Sequence, residues 1–287
     1  MSLRNAFTID VEDYYQVEGF AGVVDRAHWD GFESRVAANT GRILDMLAAR
    51  GIRATFFVLG CVARRDPSIV RAIVAGGHEV ASHGLSHRLI YTQTPEDFRR
   101  ETREAKAILE DQCQSPVLGY RAATYSITRR SLWALDILAE EGFRYDSSIF
   151  PMRHDRYGIP GSPTRPHRLT TPAGHRLVEF PISVLRYGPA TLPVAGGGYF
   201  RLFPYGFTRW ALARLNARGQ PFVFYLHPWE VDPGQPRMTQ ASAGSRFRHY
   251  VNLDRCEARL GRLLDDFRFD TMSAILASLP LDQTQAA

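Results

Sequence analysis

The chain reads as an α/β protein built on a parallel sheet. Three observations predict this. Short apolar or aromatic runs alternate with longer segments of helical periodicity, the pattern of repeated strand–helix units. Four of the first five runs end at a polar residue, and parallel sheets place their active sites at the C-terminal ends of strands. A chain of 287 residues also buries about three-quarters of its unfolded surface, so it needs no cross-links.

Residues 5–9 read as a buried first strand that ends in the acidic cluster Asp10, Val11, Glu12 and Asp13. An aromatic-rich loop covers residues 14–32. Residues 35–50 repeat Ile43, Leu44 and Leu47 at helical spacing, and Gly51 stops them. Residues 54–58 form a second strand. Asp66 followed by Pro67 opens a helix that Gly76 and Gly77 close. Glu79, Val80 and Ala81 are a third strand, delivering His83 and His87. Thr94 and Pro95 cap a helix to about Gln112. Residues 117–120 form a fourth strand ending in Arg121. Thr128 caps a helix to Glu141, and residues 143–145 form a fifth strand ending in Asp146.

From residue 150 to 205 the texture changes. Prolines from Pro151 to Pro204, Pro189 among them, surround Gly196, Gly197 and Gly198, and predict a long irregular insertion with one strand over residues 177–180. The alternation then returns. Residues 205–218 form a helix, residues 222–226 a strand ending in His227, and residues 252–266 a last helix before a closing strand at residues 269–272. No repeat or linker divides the chain, so it reads as one catalytic domain over 1–287. The insertion occupies about 150–205 and a C-terminal part 206–280.

The net charge of +5 is almost entirely arginine, because Lys106 is the only lysine. It reads as a solvated surface, or as attraction to anionic glycans, phospholipid head groups or a phosphate-bearing carrier. No dense basic run points to nucleic acid. Cys61, Cys113 and Cys256 are scattered and odd in number, which predicts reduced thiols. No apolar stretch reaches membrane-spanning length and no basic-then-apolar leader opens the chain, so the expected location is cytoplasmic.

His83 and His87 are spaced for one side of a helical turn, where two imidazoles can share a divalent cation. A third ligand is expected from the acidic cluster. Strand order should bring Asp10, His83, Arg121 and Asp146 together.

In this order the motifs resemble the polysaccharide deacetylases, the NodB-homology carbohydrate esterases. They run from Phe7 through Asp13 to Tyr14, then Ser82, His83 and His87, then Gly119, Tyr120 and Arg121. Tyr145 through Ser148 follow, and last Leu226 through Glu230. Two further stretches, from Asp155 through Pro160 and from Gly196 through Phe200, resemble signatures of the subgroup found with exopolysaccharide and exosortase loci. The resemblance implies a deformed (β/α) barrel of about seven strands. It implies hydrolysis of N-acetyl groups on an amino-sugar polymer, at the inner face of the membrane or beside an exopolysaccharide assembly machinery. Zinc is the expected metal, with cobalt and nickel also suited.

The roles follow that resemblance. Asp10 is the general base and His227 the general acid. Arg121 orients Asp10, and Asp146 orients a cationic or imidazole partner. Tyr125 and Trp229 face the sugar or belong to the core. The chain departs from the family in having Val11 after Asp10, where a second aspartate is usual. The metal carboxylate is then Glu12, which shares a strand face with Asp10, or Asp13, whose side chain has the more usual length and is slightly favoured. Ala123 also stands where the family has proline. Two other readings remain: an amidohydrolase for a small cyclic amide or a lipid-linked sugar, and a catalytically silent glycan-binding member of an assembly complex.

Overall fold

Strand β1 (Arg4–Val11) sorts its side chains by parity. Phe7, Ile9 and Val11 join a large core under the helices, while Ala6 joins a second, smaller core. Thr8 and Asp10 share the parity of Ala6. The same sorting holds in β2 (Thr55–Val58) and β3 (Glu79–Ser82), where Phe56, Val58 and Val80 enter the first core and Phe57 and Ala81 the second. The structure, a computed structural model, describes residues 3–154, 156–188 and 190–285. Asp155 of the subgroup signature and Pro189 of the proline-rich stretch lie outside the described residues.

The remaining strands are β4 (Gly119–Tyr120), β5 (Tyr145–Asp146), β6 (His167–Thr170), β7 (Arg176–Glu179), β8 (Val184–Tyr187), β9 (Ala190–Pro193), β10 (Val223–Leu226), β11 (Arg268–Asp270) and β12 (Asp282–Gln285). The sheet runs β10-β1-β2-β3-β4-β5-β7-β6-β12, with β11 also paired to β1. Every pairing in it is parallel except β6 with β7. Ala6, Phe57, Ala81, Tyr145, Val223 and Tyr225 come from five strands into one cluster. A sheet whose one face converges so is wrapped about that cluster, in the manner of a deformed barrel.

Residues 180–183 span the gap between the two ends of the parallel run. Phe180 O accepts from Ser147 Oγ, Ile182 N donates to Ile149 O, and Ser183 Oγ accepts from Val223 N.

The helices are α1 (Val36–Ala48), α2 (Gly60–Arg65), α3 (Pro67–Ala75), α4 (Pro95–Cys113), α5 (Trp133–Glu140), α6 (Gly197–Leu202), α7 (Tyr205–Ala217), α8 (Ala243–Tyr250), α9 (Leu253–Asp266) and α10 (Met272–Ser278). Asp66 and Thr94 cap α3 and α4 as predicted, each with proline next in sequence. Residues 128–132 form turns ahead of α5, which starts at Trp133 rather than after Thr128. The insertion carries more order than its prolines predict, holding β6 to β9 and α6. The Cys61, Cys113 and Cys256 thiols are free. Among the described residues no helix is long and apolar enough to cross a membrane.

Candidate active site

Because β1 to β5 and β10 are parallel, their C-terminal ends open on one side, and the polar strand-end residues meet there. Glu12, His83 and His87, all buried, present ligand atoms that lie within 4.8 Å of one another. The pair does not sit on a helical turn. Ser82 ends β3, and the following loop is shaped by left-handed Gly84 (φ 80°) and His87 (φ 52°). Two amides at the start of α2 hold that loop, Gly60 N on Gly84 O and Cys61 N on Leu85 O. Arg26 clamps the carbonyls of Ser86 and His87.

The His83 Nδ1 lies 2.8 Å from Arg121 O, which fixes it as the protonated nitrogen and leaves Nε2 as a lone-pair donor. Burial pushes the His83 pKa down to about 4, so the ring is neutral at pH 7. Burial alone would raise Glu12, but the His87 and His227 imidazoles hold it far below the usual carboxylate range. Glu12 Oε2 lies 2.9 Å from His87 Nε2, yet Glu12 Oε2 and His87 Nδ1 are buried without a hydrogen-bond partner. Two imidazoles and an ionised carboxylate, partly unsatisfied, form a donor set that fits a divalent cation.

Asp13 does not join this group. Its Oδ2 accepts from Ser34 Oγ, Arg35 N and Val36 N, and its Oδ1 from Tyr14 N. The side chain therefore closes the N-terminus of α1, whose first amides have no partner within the helix. β1 ends at Val11, and the turn that follows, with Glu12 N donating to Asp10 O, leaves Glu12 beside the histidines.

Asp10 Oδ1 accepts from Arg121 Nη1 at 2.6 Å. The wholly buried Arg121 also donates to Thr8 Oγ1, Ser147 O and Ser147 Oγ, which locks its plane. Facing Asp10, His227 Nε2 lies 3.9 Å from Asp10 Oδ2 and 3.6 Å from Glu12 Oε1. His227 Nδ1 lies 2.8 Å from Glu230 Oε1, and Glu230 Oε2 accepts from Arg201 Nε at 2.6 Å. Burial opposes the charged form of His227, but Glu12, Glu230 and Asp10 outweigh it and raise the pKa to about 9. Burial likewise works against ionised Glu230, and Arg201 and His227 reverse it, lowering its pKa to about 2.

Asp146 does not reach an imidazole or a guanidinium. Its carboxylate accepts from Ser148 Oγ and Ser148 N, and β5–β7 pairing sets it opposite Glu179. Burial raises both carboxyls, and Asp146 raises Glu179 further, which favours the neutral acid at Glu179. The pair supports the turn of Ser147 and Ser148, which in turn holds Arg121 and Ala122 N.

Trp229 lines the cleft but is buried, with Nε1 donating to Glu12 Oε1 and its ring stacked between His227 and His249. It braces the site from behind. Tyr125 also lines the cleft, and its buried hydroxyl has no partner. The cleft holds about 340 Å³ and is walled further by His154, Arg156, Tyr157, Tyr199 and Arg248.

Sequence reasoning missed Glu230, Arg201 and Glu179 as functional supports. The spacing of His227 and Glu230, three apart, is a readable signal. Arg201 has none, because its partners lie 29 to 50 residues away. Its placement depends on Gly196, where an added Cβ would come within 2.0 Å of Tyr225 O.

Residues 28–145 match the family described as Polysaccharide deacetylase. Residues 147–277 match a second family, described as Domain of unknown function (DUF3473). A chitooligosaccharide deacetylase of Sinorhizobium fredii is 34% identical over 99 residues, which is 34% of this chain and 44% of that protein. The chain thus spans less than half the length of that relative. Among solved structures, a putative polysaccharide deacetylase from Mycobacterium smegmatis aligns over 96% of this chain and 88% of its own, with a TM-score of 0.61 and 21% identity. The PuuE allantoinase aligns over 96% and 89%, with a TM-score of 0.64 and 17% identity. These two likenesses are of fold.

Proposed function

We propose, from the match of residues 28–145 to the polysaccharide deacetylase family, that this chain hydrolyses N-acetyl groups on the amino sugars of a polysaccharide or its precursor. The observation that supports the reading is the grouping of Glu12, His83 and His87, with His227 Nε2 3.6 Å from Glu12 Oε1 and 3.9 Å from Asp10 Oδ2. An amide needs a polarised carbonyl and an activated water, and a divalent cation held by those three residues would supply both. Zinc suits the donor set, as do cobalt and nickel.

The chain's own groups do the rest. Asp10, held by Arg121, takes the proton of the attacking water. His227, whose charged form Glu230 and Asp10 favour, gives a proton to the departing amine nitrogen. Glu230 fixes the imidazole through Nδ1 and so aims Nε2 into the cleft. The unpartnered Tyr125 hydroxyl donates to substrate oxygen. The products are the free amino sugar and acetate.

Incubation with an N-acetylglucosamine oligomer should release acetate, a chelator should stop the release, and added metal should restore it. Acetate release that survives both chelation and His83→Ala would overturn the metal role. Glycan binding without turnover on any amide would overturn the hydrolase.

A further inference from the structure

Charge is segregated along this chain. From residue 180 to 253 there are eight arginines and two acids, so this stretch alone exceeds the whole chain's net +5. The two acids are buried and spoken for, Glu230 by Arg201 and Asp232 by Arg35. Of the eight arginines only Arg201 is buried. Arg186, Arg209, Arg214, Arg218, Arg237, Arg246 and Arg248 are exposed. Among the described residues only Arg209 of these seven has a carboxylate partner, Asp266.

The same stretch holds four of the large apolar side chains that stand out into solvent: Phe247 at 60%, Tyr187 at 56%, Leu202 at 47% and Trp210 at 42%. Leu202, Phe247 and Arg248 form the mouth of the catalytic cleft. Arg201 ties α6 to α8 through Arg248 O, so these residues share one rim. From Tyr199 inside the cleft, rings touch in series through Phe203, Phe207 and Trp210 to Tyr187, and Arg214 lies over Trp210. Within this stretch, apolar tips stand with arginines that lack carboxylate partners, and Glu18 is the acid that lines the cleft beside α8. That balance is complementary to an interface that is apolar beneath and anionic above.

We propose that the cleft rim on α6 and α8, together with the neighbouring α7, docks on an anionic phospholipid surface. Phe247, Leu202 and Trp210 enter the interfacial layer while the exposed arginines meet head-group phosphates. The cleft then opens toward the membrane, and a glycan carried on a lipid reaches Asp10 and His227 without leaving it. The docking itself does not depend on hydrolysis, so it stands or falls separately from the deacetylase reading.

The test is cosedimentation of the full chain with vesicles of phosphatidylcholine alone or mixed with phosphatidylglycerol. Binding to the mixed vesicles should exceed binding to the neutral ones by tenfold or more. It should collapse in about 1 M salt, where the Debye length falls to ~3 Å. Arg214→Gln with Arg218→Gln should weaken it several-fold, and Trp210→Ala should do so independently, with thermal melting checking that each variant is folded. Equal binding to both vesicles, no binding, or variants that bind like the parent would overturn the proposal. So would unchanged vesicle binding by Trp210→Ala with a raised KM on long soluble glycans, since the ring series would then be a sugar track.

Discussion

The two sides of the cleft solve one problem differently. On the side proposed for the base a buried arginine touches the carboxylate itself, Arg121 on Asp10. On the acid side a buried arginine acts at one remove, Arg201 on Glu230 and Glu230 on His227. A carboxylate that must stay ionised can be paired directly with a cation. An imidazole that must hold a proton needs an anion first, and that anion, taken out of water, needs a cation of its own. The difference in wiring follows from the opposite charges the two groups must carry.

The largest expected effect tests the base side. Asp10→Asn keeps the Arg121 contact but removes the proton acceptor, and acetate release should fall by roughly 10²- to 10⁴-fold. Substrate binding measured by calorimetry should remain. A loss of less than tenfold would move the base elsewhere.

Next come the two arginines. Arg121→Met and Arg201→Met each strand a buried carboxylate, and each should cost about 3–5 kcal/mol in urea unfolding. If Arg201→Met is as mild as a surface substitution, Glu230 does not depend on it and the two-step account of the acid side fails.

These two sides were unequally legible in the sequence. Arg121 and Asp10 end strands whose apolar runs and polar stops are visible one at a time, so parallel pairing brings them together. Strand parity favours Glu12 over Asp13 only if β1 continues, and it ends at Val11. What no local pattern shows is that Asp13 closes a helix beginning 23 residues later. Asp146 stops a strand as the others do, yet it turns to Glu179 because the chain next to β5 is β7, a strand from the insertion. Arg201 is invisible for the same reason. Its site exists only once residues 196–202 and 248–251 have packed, and prolines and glycines describe where a chain turns rather than what it then meets.

Glu230→Gln probes the middle of the acid relay. It removes one of the anions that raise the His227 pKa, while Asp10 remains. The acid must be protonated to work, so the alkaline fall-off of the rate should move to lower pH. The rate at neutral pH should drop about 10- to 100-fold, the scale of an orienting partner. An unmoved profile with a lowered rate would mean that Glu230 only positions the ring.

The smallest effect lies in stability rather than rate, and it separates two carboxyls of opposite habit. Glu230 has its folded pKa lowered to about 2 from 4.5, so its contribution is present above pH 4.5 and is lost as pH falls toward 2. Glu179 has its folded pKa raised well above 4.5, since burial and Asp146 both favour the neutral acid. Its contribution is present below pH 4.5 and is lost as pH rises toward that raised value. Glu179→Gln keeps a neutral hydrogen-bond donor opposite Asp146 and removes the titration. Melting temperature followed from pH 4 to pH 9 should decline less on the alkaline side in the variant than in the parent, by a few degrees. Parallel curves would show that Glu179 does not titrate across this range, and that the support beneath Arg121 is packing alone.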